Sequence, residues 1–397
     1  MKRRDVISLF SSFTGAALLS AHAPGWAQAA ARRASSASDR ILILVELKGG
    51  NDGLNTVIPY ADSNYYQLRP VIGIKPAEII RLDAQTGLHP ELKALLPLWE
   101  AGELGIVQGV GYPQPNLSHF RSIEIWETGS RASEYLQEGW VARGLKGMPD
   151  ASRFTTEGVI IGSGEFGALA GARAVSLNNP EAFVNQSRLA QGMETAPVRG
   201  GAALQYLLQV ESDINQAAQG LRGDKYNFLT QFPTGAFGNG VKAAAQVVAS
   251  QRGKGGVPVI TLTLGSFDTH QNQLGTHANL VKQLGEGMAA LKASLTELDA
   301  WDRTLVMTFS EFGRRPHQNN SNGTDHGTLA PHFVAGGAVR GGFYGQAPDL
   351  MRLDGTHNAS YTTDFRQLYA TVAKDWWGVK PDLVTRGHFD GLGFLRS

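Results

Sequence analysis

Four short clusters of carboxylates and imidazoles stand far apart in the chain. They read Gly49-Gly50-Asn51-Asp52-Gly53, Phe267-Asp268-Thr269-His270, Ser310-Glu311-Phe312-Gly313-Arg314 and Gly323-Thr324-Asp325-His326-Gly327. Three of them follow or end a short apolar run that reads as a strand. Oxygen and imidazole donors gathered at strand ends are what a hard or borderline divalent cation requires. The mixed donor set suits Zn or Mn, and admits Ca or Mg where water fills the shell. Convergence of these loops on one sheet edge would make a metal-dependent hydrolase, or the relic of one.

The elements that must position the clusters alternate between strand and helix patterns. Ile41 to Leu47 is almost wholly apolar and reads as a buried parallel strand. Glu91 to Ala101 has helical spacing through Leu92, Leu95, Leu96 and Trp99, and Leu104 to Val110 reads as a second short strand. Ser118 to Glu127 predicts a helix with Ser118 as its cap. Residues 131–251 carry fewer chemical signals and two helical patterns, Leu204 to Leu221 and Val241 to Arg252, so they read as a helical elaboration.

Val257 to Leu264, Thr276 to Ala300 and Thr304 to Phe309 predict a βαβ unit with its two strands parallel. His332 to Ala335 adds a strand and Thr362 to Trp376 a last helix. The expectation is one three-layer α/β/α domain over residues 41–397, with a mostly parallel central sheet. In such folds ligands sit beyond the carboxyl ends of the strands. Asp52, Asp268, His270 and Glu311 all fall there.

Lys2, Arg3 and Arg4 precede an apolar stretch from Val6 to Ala23, and Ala27-Gln28-Ala29 supplies a small-x-small cleavage pattern. Residues 1–29 therefore read as an export signal, and residues 30–40 as a disordered leader. The paired arginines point to the twin-arginine machinery, although Asp5, Val6 and Ile7 depart from its usual pattern. The destination is the periplasm or the cell exterior, with no permanent membrane anchor expected. The formal net charge is +1, and removing Lys2, Arg3, Arg4 and Asp5 with the signal leaves it near −1. Without a long basic run, neither nucleic acid nor an anionic membrane is an implied partner. Cysteine is absent, which excludes disulfides and thiol chemistry.

Several phrases carry a family resemblance: GGNDGLNTVIPY, LHPELKALLPLWEAGELGIVQGVGYPQPNLSHFRSIEIWETG, SFDTHQNQ, FSEFGRR and GTDHGTLAPHFVAGG. They resemble the domain-of-unknown-function 1501 family of exported bacterial proteins, in the family's order, from about Ile41 to Trp377. That family has no agreed activity. It is similar to the alkaline phosphatase and sulfatase superfamily, whose members hydrolyse or transfer phosphate and sulfate esters with two divalent metals.

The resemblance implies an anionic ester substrate, small or polymeric, and a ligand set. Asp52 fits the Asp after the opening strand. Asp268 and His270 match the next Asp and His, and one intervening residue points both side chains the same way in an extended segment. Glu311-Phe312-Gly313 stands where the superfamily has Asp-His-Gly, so Glu311 can serve as an oxygen ligand but Phe312 cannot bind. The second metal site that the resemblance implies therefore lacks one of its ligands. His326 matches the final His, and Asp325 either ligates or orients it.

The superfamily's nucleophile lies at a helix N-terminus, where free amides favour an incoming anion. Ser118 occupies such a place; its plain role is an N-cap. His119 is a replacement for the ligand lost at Phe312, a donor to the ester, or a packed core histidine. Arg314 either clamps anionic oxygens or pairs with Glu311. Asn51 either positions a substrate oxygen or serves the turn.

His89 reads as a helix-entry residue and His332 as core, while His277, His317, His357 and His388 lack partners at recognisable spacing and read as exposed. Trp126, Trp140, Trp301, Trp376 and Trp377 read as core or interface anchors. A serine esterase of the Gly-Asp-Ser-Leu class is excluded. Gly50-Asn51-Asp52 resembles one of its blocks, but the early Gly-Asp-Ser that would carry the nucleophile is missing. An exported hydrolase of phosphate or sulfate esters remains, beside a non-catalytic binding or assembly protein with a degenerate metal site.

Overall fold

Ile41–Leu47 forms β1, and every one of its residues is buried. Ile41, Ile43, Val45 and Leu47 pack into one core, and Leu42 and Leu44 into a second. A strand that buries both faces needs a helical layer on each side, which is why it is apolar throughout. In this computed structural model residues 37–149, 151–191, 202–222, 225–252 and 256–396 are described. The expected export signal at 1–29 and most of the leader lie outside them. Ala37–Asp39, at the end of that leader, forms a short 3-10 turn.

The remaining strands, in chain order, are β2 (Val57–Ile58), β3 (Ile80–Arg81), β4 (Gly87–Leu88), β5 (Leu104–Gly111), β6 (Gly158–Ile161), β7 (Ala174–Leu177) and β8 (Val259–Leu264). They continue with β9 (Thr304–Phe309), β10 (Gly313–Gln318), β11 (Thr324–Gly327), β12 (Ala330–Ala335), β13 (Gly342–Tyr344) and β14 (Thr363–Asp364). The central sheet has the order β13-β5-β12-β9-β1-β8-β6-β7, with β14 also on β5. β8 and β9 flank β1, both parallel to it, and the helix Gln273–Glu297 makes the crossover between them. The βαβ unit thus forms as expected, with β1 between its two strands. Among the described strands of this sheet β12 alone runs antiparallel to its neighbours β9 and β5. The result is the expected three-layer α/β/α arrangement with a mostly parallel sheet, and Ala37–Ser397 hold together as one compact unit.

Residues 131–251 do more than elaborate. They carry helices at Trp140–Lys146, Pro180–Gln191, Ala202–Leu221 and Ala236–Ser250, but also β6 and β7, which extend the sheet in parallel beyond β8. These strands are four residues each, too short for alternation to separate them from loops. Among the described residues no helix is long and apolar enough to cross a membrane.

Candidate metal centre

The carboxyl ends of β1, β8, β9 and β5 deliver the chemical residues to one edge of the sheet. Lys48–Asp52 follow β1, Phe267–His270 follow β8, Ser310–Phe312 follow β9, and the loop after β5 leads into the helix His119–Thr128. Beyond β9 the chain folds into the β10–β11 hairpin, where Arg314 and His326 are cross-strand partners.

Asp268 stands at the centre. Its Oδ1 lies 2.9 Å from His270 Nε2 and 3.1 Å from His326 Nε2, and its Oδ2 lies 3.4 Å from His119 Nε2. The Nε2 atoms of His270 and His326 are 3.1 Å apart. His119, Asp268 and His326 bring ligating atoms within 4.8 Å of one another. Tetrahedral Zn with bonds near 2.0–2.1 Å would set its ligand atoms about 3.3 Å apart. The observed separations bracket that value.

The outer hydrogen bonds fix which nitrogens face inward. His326 Nδ1 lies 2.8 Å from the carbonyl of Leu117. A carbonyl only accepts, so Nδ1 carries the proton and Nε2 presents a lone pair in the neutral ring. His119 Nδ1 lies 2.8 Å from Glu311 Oε1, which also accepts the Gly49 amide at 2.8 Å. Its Nε2 therefore faces Asp268 in the same way. Lone pairs converging on a carboxylate repel unless a cation stands among them. A proton is a poor substitute at His326, where burial holds the imidazolium below its usual range. Three inward imidazoles, a carboxylate and outer acceptors make a donor set that fits a borderline divalent ion.

Arg314 holds the frame. It is buried, with Nε on the Gly50 carbonyl at 2.8 Å and Nη1 on that of Thr324 at 3.0 Å. Nη2 reaches the carbonyls of Gly49 and Phe267 and, at 2.6 Å, Asp268 Oδ1. Burial acts to raise the Asp268 pKa, but the hydrogen bond and the charge of Arg314 outweigh it, and it falls to about 2. Gly49 adopts φ +117°, and a Cβ there would meet the Asp268 amide at 2.5 Å, so only glycine lets these loops touch. A Cβ at Gly50 would strike the Phe312 ring, also at 2.5 Å.

The sequence-predicted residues divide. Asp268, His270 and His326 lie together, and His119, whose role was open, joins them. Glu311 is buried behind His119 as its acceptor rather than among the inward atoms. Asp325 is half-exposed, with Oδ1 3.8 Å from His270 Nδ1 and 3.2 Å from Asn319 Nδ2, at the rim. Arg314 neither clamps an anion nor pairs with Glu311, because its donors are spent on carbonyls and Asp268. Ser118 is the N-cap residue, but its side chain makes no capping hydrogen bond and is exposed. Phe312 packs its ring 4.9 Å from that of His119 and 4.3 Å from that of His326.

Asp52 is placed elsewhere. It is fully buried, 2.6 Å from Arg69 Nη1, and accepts from Gln273. Burial alone would raise its pKa; the Arg69 charge overrides that and lowers it. The loop position suggested a ligand, but nothing in the motif announces a cation seventeen residues on. Asn51 is also buried, with Oδ1 accepting from Thr56 and 3.2 Å from His277 Nε2. His277, expected to be exposed, is buried, and burial lowers its pKa to about 4. It lies four residues after Gln273, one helical turn along the same inward face, a spacing that could have revealed both. His89 caps its helix through Nδ1, and His332 is core, as expected.

The fold and site define a mostly parallel α/β protein with a histidine-rich, carboxylate-centred edge. A family model described as a protein of unknown function (DUF1501) matches residues 176–388, more than half of the 397 residues, and the chain belongs to that family. No curated protein matches the sequence.

Similar solved structures include alkaline phosphatases and sulfatases. Ps i-CgsB in complex with k-i-k-neocarrahexaose is 12% identical, covering 88% of this chain and 75% of its own, with a TM-score of 0.44. The PsFucS1 sulfatase from Pseudoalteromonas sp. is 11% identical, covering 90% and 72%, at 0.42. The alkaline phosphatase of the Antarctic bacterium TAB5 is 13% identical, covering 77% and 94%, at 0.32. Likeness of this extent carries no argument about activity.

Proposed function

We propose that the chain is a metal-dependent hydrolase of phosphate or sulfate esters, with one divalent ion, Zn or Mn, held by His119, Asp268, His270 and His326. The observation that carries this reading is the convergence of imidazole Nε2 atoms on Asp268 at 2.9–3.4 Å. A bound ion would polarise an ester oxygen and neutralise charge developing on it. Asp268 and His270 are each about half-exposed, so an anionic ester can approach from solvent. Ser118, flanked in sequence by Leu117 and His119, is the candidate nucleophile, with its hydroxyl uncommitted to the helix cap.

A second reading keeps the ion and drops the chemistry. Phe312 fills the space against His119 and His326 with a ring that cannot ligate, which favours a binding or assembly protein with a degenerate site. Metal content of the purified protein, by plasma mass spectrometry beside an Asp268→Ala/His326→Ala variant, tests the shared premise. About one equivalent of Zn or Mn, lost in the variant, is expected. Turnover of aryl phosphates or sulfates by the loaded protein then separates enzyme from binder. Protein that folds equally well and metal-free in both forms sinks the metal reading.

Export by the twin-arginine route to the periplasm or beyond completes the proposal, supported by Lys2, Arg3, Arg4 and the cleavage-like Ala27-Gln28-Ala29. Changing Arg3 and Arg4 to Lys in the full chain should retain it in the cytoplasm. Unchanged export would remove that part.

A further inference from the structure

Gln273 lies outside the ligand set, yet it is fully buried at the first position of the helix Gln273–Glu297. Its amide joins three partners. Nε2 donates to Asp52 Oδ2. Oε1 accepts from Thr269 Oγ1 at 3.1 Å and from Thr324 Oγ1 at 2.6 Å.

Those two threonines sit inside the ligand loops. Thr269 stands between Asp268 and His270, and Thr324 is two residues before His326. The loops also meet directly, the Thr324 amide donating to the Thr269 carbonyl at 3.2 Å. One amide therefore clasps the two segments that supply three of the four proposed ligands.

Behind it, Arg69 anchors the clasp. Its Nη1 binds Asp52 at 2.6 Å and Asn55 Oδ1 at 2.8 Å, and its Nε binds the Pro316 carbonyl at 2.8 Å. Asp52 is thus fixed against the first strand of the hairpin that carries His326.

The partners demand an amide. One side needs a donor to a carboxylate and the other an acceptor for two hydroxyls. A carboxylate at 273 would press two buried anions together, and a hydrocarbon would leave both sides unpaired.

We propose that Gln273, backed by the Asp52–Arg69 pair, is a positioning residue that holds the 268–270 and 324–326 segments at metal-binding separation. On this assignment Asp52 serves the centre through Gln273 instead of ligating the ion. The inference rests on the metal reading above.

The test compares Zn2+ affinity, by competition with a chromophoric chelator, and the visible spectrum of the Co2+-loaded protein. The proteins are full-length wild type, Gln273→Met, Thr324→Val and Ser294→Ala. Ser294 is a control: it is buried on the same helix, and its hydroxyl bonds only carbonyls of that helix. Gln273→Met and Thr324→Val should weaken Zn2+ binding about 10–100-fold and change the Co2+ bands, as loss of an outer partner does at other sites. Ser294→Ala should bind as wild type even where its melting temperature falls.

Should Gln273→Met fail to fold, Thr324→Val, which keeps the side-chain shape, decides alone. Affinities within twofold of wild type with unchanged Co2+ bands would overturn the inference, as would equal weakening in Ser294→Ala. Wild-type protein that binds neither ion would overturn the metal reading and this assignment with it.

Discussion

His119 and Glu311, 192 residues apart in the chain, meet through a single hydrogen bond from Nδ1 to Oε1 at 2.8 Å. The same oxygen takes the Gly49 amide, so one buried carboxylate ties the ends of β1 and β9 to the start of the helix His119–Thr128. A carboxylate behind an imidazole fixes the ring and raises its basicity as a ligand. Glu311→Gln keeps the shape and removes the charge, so Zn2+ affinity should fall roughly tenfold; Glu311→Ala should cost about a hundredfold. Chelator competition measures both. Wild-type affinity in Glu311→Ala would mean that His119 needs no orienting partner.

Ser118 tests chemistry apart from stability. An N-cap serine that bonds the helix amides costs about 1 kcal/mol when changed to alanine. Here the side chain makes no such bond. Ser118→Ala should therefore unfold within about 0.5 kcal/mol of wild type and hold its metal, while ester turnover drops by roughly two orders of magnitude or more. Denaturant melts and steady-state rates read the two separately. Full turnover in the variant would remove Ser118 as nucleophile.

Much of this edge was legible in the sequence because strand ends announce themselves. β1 and β9 fall where apolar runs end at Leu47 and Phe309, and Asp268 and His270 share a side through their spacing. What stayed hidden depends on partners distant in sequence. Asp52 looked like a ligand until Arg69 stood beside it, and Arg314 looked like an anion clamp until four carbonyls took its donors. Neither pairing leaves a local mark. β6 and β7 were missed for a different reason, being short enough that neither period develops.

The Asp52–Arg69 pair makes an energetic prediction. Both side chains are fully buried, so removing the cation alone strands an anion. Arg69→Met should destabilise by about 3–5 kcal/mol. Adding Asp52→Asn removes the stranded charge and should recover part of that loss, which makes the pair strongly non-additive. Urea unfolding of the four proteins of the cycle supplies the numbers. Simple additivity would show that Asp52 has another sufficient partner in Gln273.

His332 supplies the pH dependence least entangled with the metal centre. It is fully buried on β12, neither ring nitrogen has a hydrogen-bond partner among the described residues, and its ring lies edge-on to Trp126 at 5.1 Å. Burial without compensation lowers its pKa to about 3. In the unfolded chain the same group titrates near 6.5. Below that pH the unfolded state takes up a proton that the folded state refuses, so stability present above about pH 6.5 is lost progressively as pH falls toward 3. His89 and His277 act in the same direction, but they are common to wild type and variant and cancel in the comparison. His332→Phe keeps an aromatic ring against Trp126 and removes the titration. Whatever its stability at pH 7, its advantage over wild type should grow by on the order of 3 kcal/mol between pH 7 and pH 4. Chemical denaturation at both pH values measures that growth. A gap that stays flat would mean that the folded protein admits the proton at His332, through a water or a carbonyl that reaches the ring.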